Sequence, residues 1–196
     1  MWPVFANIGD AAVTLPVAVV CSAWLALADR RLALRWLILL GAGMGLVGLT
    51  KVLYAGWGIE FAPLDFRVIS GHTMLSTSIW AVTLSLLLRG RSQRLALGAS
   101  LGLVIGALTG LARVFDLSHT MSESVSGWLV GSVVAVLFLR ACAQTSLERL
   151  RPVTAGIGVV LVSVLAYGHS APFQGLIDGH APSLRNHVNA QLERVL

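Results

Sequence analysis

The chain predicts an all-α integral membrane protein: six transmembrane helices in a bundle, followed by a short C-terminal interfacial helix. Three observations carry that expectation. The 196 residues are 56% hydrophobic and only 12% charged, with a mean hydropathy of +0.81, whereas a soluble domain is roughly 25% charged. Apolar runs occur at residues 11–28, 36–50, 71–88, 95–112, 124–139 and 152–168, and each approaches the ~20 residues a helix needs to cross a bilayer once flanking residues are added. These runs are continuously apolar, where the strands of a membrane barrel would alternate over about 10 residues.

Residues 1–170 read as one transmembrane domain and 171–196 as its tail. Met1 to Asp10 contains no Lys or Arg, so the first run is an anchor rather than a secretory signal, despite the small residues Ala26-Leu27-Ala28. Trp2 and Phe5 before it fit an interfacial aromatic belt. Loop charge then alternates along the chain. Arg30, Arg31 and Arg35 follow the first run, Arg89, Arg91 and Arg94 the third, and Arg140, Arg149 and Arg151 the fifth. By the positive-inside rule those connections face the cytoplasm, which puts both termini and the other connections on the outer side of a bacterial-type inner membrane. Of the fourteen Lys and Arg, five remain: Lys51, Arg67, Arg113, Arg185 and Arg194. The first three lie in or beside the outward connections.

Gly41, Gly43, Gly45 and Gly48 inside the second run read as positions of close helix approach. In the tail, Leu184, Val188, Leu192 and Val195 fall on one helical stripe behind a Ser183 cap. Cys21 and Cys142 lie within or at the end of apolar runs and read as packing residues, not a disulfide. The net charge of +5 does not indicate nucleic acid, because the basic residues are split into short clusters between apolar runs rather than gathered on one folded face. The bilayer itself is the expected partner, and the sequence leaves a homo-oligomer open.

Arg113-Val-Phe-Asp-Leu-Ser-His-Thr-Met-Ser-Glu123 sets an arginine, a histidine and a carboxylate between two apolar runs. Ionisable groups there are expensive unless they pair, reach water or do chemistry. Lys51 and Ser70-Gly71-His72 end and begin the neighbouring runs on the same outer side. Lys51 and Arg113 offer permanent positive charge to a phosphate. Ser70 and Gly71 open a helix, whose first backbone N–H groups are an anion site. His119 and Glu123 are four apart, so a helix starting near His119 would let the carboxylate hold one ring nitrogen and leave the other to attack. His72 is then the candidate general acid. Taken singly, Lys51 or Arg113 reads more simply as a side chain snorkelling to headgroups, and His72 equally as a packing residue. Metal binding by His72, His119 and Glu123 is disfavoured by the surrounding cations. Arg67 either neutralises Asp65 or reaches the phosphate.

Together Lys51, Ser70-Gly71-His72 and Arg113-x5-His119-x3-Glu123 resemble the three-part signature of the type 2 phosphatidic acid phosphatase superfamily, integral-membrane lipid phosphatases. The resemblance implies a phosphohistidine on His119, orientation by Glu123, acid catalysis by His72, and phosphate held by Lys51, Ser70, Gly71 and Arg113, with no cofactor and no metal. The chain departs from the pattern at four places: Gly58-Ile59 where the first motif has Arg-Pro, Ile69 for Pro, Ala112 for Ser and Glu123 for Asp. Arg67 is the candidate to supply the missing guanidinium. The implied substrate is a membrane lipid phosphate: an isoprenoid carrier diphosphate, phosphatidylglycerol phosphate or phosphatidic acid. Lipid-to-lipid phosphotransfer and a noncatalytic lipid-binding or transport protein on the same fold stay open beside hydrolysis.

Overall fold

The structure is a computed structural model that describes residues 2–88, 92–143 and 152–169, with Gly175, Ile177, Gly179, His180, Ser183, Arg185 and Asn186 of the tail. Among these residues the fold is all-helical, without a β-strand: α1 (Trp2–Ile8), α2 (Ala11–Ala28), α3 (Arg30–Trp57), α4 (Gly71–Leu87), α5 (Ser92–Phe115), α6 (Met121–Ala143) and α7 (Pro152–Ala166). Asp29 makes the tight α2–α3 junction, because its carboxylate caps the α3 N-terminus by accepting from Arg31 N at 2.8 Å and Leu32 N at 3.3 Å. α3 ends at Gly58, whose left-handed φ of 66° suits a residue without a Cβ.

Four helices, α2, α3, α5 and the 23-residue α6, are long and apolar enough to cross a membrane. They turn Val19, Leu34, Ile38, Val104, Leu129 and Val133 outward, each more than half exposed, as a lipid-facing surface requires. The sequence reading expects six spans. The two that fall short do so for different reasons. α7 has 15 residues, about 22 Å at 1.5 Å per residue. α4 has 17 residues and is the axis of the bundle: twelve of them are buried, and six of those twelve are Ser or Thr. Such a helix faces other helices, not lipid.

Hydroxyls can be buried in α4 because most find a partner nearby, Thr83 Oγ1 being the exception. Thr77 Oγ1 donates to Thr73 O at 2.6 Å, Ser78 Oγ to Met74 O at 2.9 Å and Ser85 Oγ to Leu95 O at 3.1 Å, while Ser76 and Thr109 pair across α4 and α5 at 2.9 Å. α5 lies close enough for this because Gly98, Gly102 and Gly106 face α4 with no room for a Cβ; at Gly102 an added methyl would collide with the Ala81 backbone. The glycines expected to serve close approach behave differently. Gly43 does contact Met74 and Val134, but Gly41, Gly45 and Gly48 have nothing within 4 Å. A four-residue glycine spacing looks the same on α3 as on α5, and only the neighbour decides its use.

α1 is not anticipated by the sequence reading. It packs on α5 and pins the start of α2: Trp80 Nε1 donates to Ile8 O at 3.2 Å and Thr109 Oγ1 to Phe5 O at 3.4 Å. At the far end of the bundle the rings of Trp36 and Phe138 meet at a tilt of 52°, with centroids 5.1 Å apart, in the core. The predicted stripe Leu184, Val188, Leu192 and Val195 lies outside the described residues, as do Arg89, Arg91, Arg149 and Arg151.

Gly102→Ala should therefore lower the melting temperature in detergent, since overpacking a tight contact typically costs about 1–3 kcal/mol. Gly45→Ala should leave it unchanged or slightly raised. Equal melting for the two variants would contradict this packing.

Candidate active site

The alternating course of the chain gathers the end of α3, both ends of the α3–α4 loop, the end of α5, the start of α6 and the start of α2 at one end of the bundle. A cavity of about 770 Å³ opens there, and Lys51, Arg67, Gly71, His72, Arg113, His119 and Glu123 all line it. Of the residues singled out from the sequence, Ser70 alone stands back from the cavity. Fully buried, it pairs Oγ with Thr73 Oγ1 at 2.9 Å and donates its N–H to Glu123 O at 3.1 Å.

His119 and Glu123 meet, though not as neighbours on one helical face. His119 sits in the loop before α6, and α6 begins only at Met121. Glu123 lies in the first turn and folds back. Its Oε2 accepts from Thr120 N at 3.2 Å while Thr120 Oγ1 accepts from Glu123 N at 3.4 Å, the reciprocal arrangement of a capping box. The same Oε2 lies 2.8 Å from His119 Nδ1. A carboxylate can only accept, so Nδ1 carries the proton and Nε2 is left with its lone pair. Capping boxes use Glu or Gln at this position, so the extra methylene of Glu123 still closes the bond to His119.

The other carboxylate oxygen, Oε1, accepts from Arg67 N at 3.1 Å and Val68 N at 3.3 Å, and Arg67 Nε stands 3.5 Å away as an ion pair without hydrogen-bond geometry. Arg67 also donates to the Tyr54 hydroxyl. Thr120 Oγ1 ties the same loop down by donating to Asp65 O at 2.8 Å, and Ile69 N donates to Thr50 Oγ1 at 3.1 Å. The Arg67 side chain is thus drawn to Glu123 and Tyr54 at the cavity wall.

Burial pushes the His119 imidazole below the ordinary histidine value, and the positive charge of Lys51 and the nearby His72 add to this; the Glu123 carboxylate works the other way without overcoming them. At neutral pH the ring is a free base, as an attacking nitrogen must be. Arg113 is braced on both sides, with Nη1 donating to Asp116 Oδ2 at 3.0 Å and Nη2 lying 3.0 Å and 3.3 Å from the two ring nitrogens of His72. Burial alone would raise the Asp116 carboxyl, but hydrogen bonds from Ser118 and Arg113 outweigh it and hold Asp116 below the usual carboxylate range.

Three site residues escape the sequence reading: Asp116, Tyr54 and Asp10, whose Oδ2 lies 3.1 Å from His72 Nε2. Asp10 immediately precedes the first apolar run, which is an N-cap signal. Tyr54 lies one helical turn beyond Lys51, on the same face.

The similarity of the chain to known proteins bears on this constellation. The PAP2 superfamily pattern matches residues 58–146. The chain belongs to the PAP2 superfamily. The PAP2 match contains His72, Arg113, His119 and Glu123, and Lys51 lies just ahead of it. PAP2 proteins are generally phosphatases, so membership implies phosphatase activity on phosphate esters. An uncharacterized 22.5 kDa protein in the cps region of Klebsiella pneumoniae is 32% identical over 183 residues, covering 90% of this chain and 88% of that protein. No solved structure matches the chain.

Titration of His119 followed by ¹⁵N NMR in detergent should give a midpoint below the ordinary value of about 6.5. Glu123→Gln removes the charge that favours the imidazolium and should lower the midpoint further, whereas Lys51→Ala should raise it. A wild-type midpoint above the ordinary value would contradict the electrostatic reading of the site.

Proposed function

We propose that this chain hydrolyses the phosphate, or pyrophosphate, group of a membrane lipid through a phosphohistidine on His119. The observation that carries the reading is that the His119–Glu123 pair, His72 and three cations line one cavity whose deeper wall is apolar, formed by Met44, Val47, Met74 and Leu75. A phosphate at the rim and an acyl or prenyl chain along the wall would each meet matching chemistry.

In the first step the lone pair on His119 Nε2 attacks phosphorus, the bond to the leaving oxygen breaks, and His72 gives that oxygen a proton. Water then attacks the phosphohistidine, returns a proton to His72, and releases inorganic phosphate and free His119. Glu123 keeps the proton on Nδ1 and offsets the charge that grows on the ring. Lys51, Arg113 and the first N–H groups of α4 around Gly71 would bind the phosphate oxygens. Arg67 would stand in for the guanidinium absent at Gly58, and Ser70 would act from behind by fixing the start of α4. These cations carry the charge a phosphate needs neutralised, so the step requires no metal.

The layout proposed with this reading is six spans, with α4 and α7 as the short ones, and the site on the outer face of a bacterial inner membrane. Its support is the opposite end of the bundle, where Arg30, Arg31 and Arg35 open α3 and Arg140 lies in the last turn of α6.

Phosphate release from isoprenyl diphosphate, phosphatidylglycerol phosphate and phosphatidic acid by purified protein tests this function. His119→Ala should reduce the rate about 10³-fold or more, roughly 4 kcal/mol of transition-state stabilisation. Arg67→Ala should raise KM or lower kcat on the same lipid. Equal rates for wild type and His119→Ala would remove His119 as nucleophile, and release of a second phospholipid in place of inorganic phosphate would identify a phosphotransferase.

A further inference from the structure

Resting on that reading, the contacts of His72 raise a question that the phosphatase mechanism leaves open: which ring nitrogen delivers the proton, and what sets it. Asp10 Oδ2 and Arg113 Nη2 both crowd Nε2, at 3.1 Å and 3.0 Å, and Nη2 is also 3.3 Å from Nδ1. These contacts cannot all be hydrogen bonds. A carboxylate only accepts and a guanidinium only donates; a bond from His72 to Asp10 puts the proton on Nε2, and the acceptor then left for Arg113 is Nδ1, the longer of its two contacts.

Asp10 is placed with some care. Its Oδ1 is taken by the cap of α2, accepting from Ala12 N at 2.8 Å, which aims Oδ2 at the cavity. The residue before it, Gly9, is pressed against Thr109, where a Cβ would collide with the threonine methyl. Ile8 in turn is held by Trp80. Both Asp10 and His72 line the cavity that holds His119, so it contains two carboxylate–histidine pairs drawn from three different chain segments.

We propose that Asp10 is a positioning residue for His72: it fixes a proton on Nε2, reserving Nδ1 as the nitrogen that protonates the leaving oxygen. Arg113 Nη2 lies 3.3 Å from that nitrogen. A bound phosphate draws Arg113 Nη2 onto its own oxygens and releases Nδ1, so the acid is exposed only when there is something to cleave. Once Arg113 is withdrawn, Nδ1 takes up a proton from solvent, so that His72 enters the step as an imidazolium held by Asp10. It loses the Nδ1 proton to the leaving oxygen as the P–O bond breaks and regains one from the water that hydrolyses the phosphohistidine. Nε2 keeps its proton throughout.

The purely structural reading, a polar staple between α2 and α4, makes different predictions. Asn is as good a helix cap as Asp, so in Asp10→Asn the capping oxygen is kept and an amide N–H₂ is turned toward Nε2. That donor forces the His72 proton onto Nδ1 and disfavours the imidazolium. The variant should melt within a few degrees of wild type. Its kcat on an alkyl lipid phosphate should fall at least 10²-fold, the usual scale for a lost general acid. On 4-nitrophenyl phosphate, whose leaving group needs no proton, kcat/KM, which reports only the step up to the phosphohistidine and not its hydrolysis, should change less than about three-fold.

The ¹⁵N spectrum, with His72 assigned by its loss in His72→Gln, should show the neutral ring protonated on Nε2 in wild type. It should be protonated on Nδ1 in Asp10→Asn. Equal loss on both substrates, no loss on either, or a wild-type ring protonated on Nδ1 would overturn the proposal. If wild type cleaves neither ester the phosphatase reading fails by itself, and the wild-type tautomer still decides the role of Asp10, as it does if Asp10→Asn fails to fold.

Discussion

The Glu123 carboxylate is the point on which the rest of the site depends. Its side chain is only 2% exposed, and a buried carboxylate is tolerable only when its lone pairs are filled. Here Oε1 takes the N–H groups of Arg67 and Val68, while Oε2 takes Thr120 N–H and His119 Nδ1–H. Those donors come from two loops more than fifty residues apart in sequence. One side chain therefore caps α6, anchors the loop before α4 and sets the tautomer of His119. The position of His119 is thereby tied to the helix terminus, and the proposed role as phosphoryl acceptor needs that rigidity because small misplacements are expensive in rate.

Around that anchor the bundle solves a conflict between site and solvent. A phosphate site needs cations, hydrogen-bond donors and water, and lipid tolerates none of these on an outer face. The polar groups are accordingly turned inward and toward one end. α4, with its buried Ser and Thr, sits where only helices touch it, and the glycines of α5 bring a second backbone against it. The outer faces of α2, α3, α5 and α6 stay apolar, and the cavity keeps a cationic rim above an apolar wall.

Much of this is legible in the sequence. Helical class and most helix positions follow from the apolar runs, because backbone hydrogen bonding in lipid leaves few other choices. The pairing of His119 with Glu123 follows from their spacing, although the capping box that shapes it, Thr120 to Glu123, is a local signal the four-residue periodicity conceals. Asp10 is harder to read. Its own neighbourhood explains it fully as an N-cap, and nothing local reveals that its second oxygen meets a histidine 62 positions later. Asp116 and Tyr54 are alike in this respect, since each acquires meaning only from the arginine it holds. The α3 glycines fail as markers of close packing because α3 turns most of them to open space, a tertiary fact. Span number is blurred for the same reason: burial within the bundle lets α4 be shorter and more polar than a lipid-facing helix.

The central claim is that His119 becomes covalently phosphorylated. Quenching wild-type protein in alkali during turnover of a lipid phosphate labelled in its phosphoryl group, then mapping the label by mass spectrometry, tests it directly. The account predicts an alkali-stable, acid-labile phosphoryl group on the peptide carrying His119, absent from His119→Ala and discharged by water as inorganic phosphate. Turnover with no protein-bound label, or a label on any other residue, would contradict it.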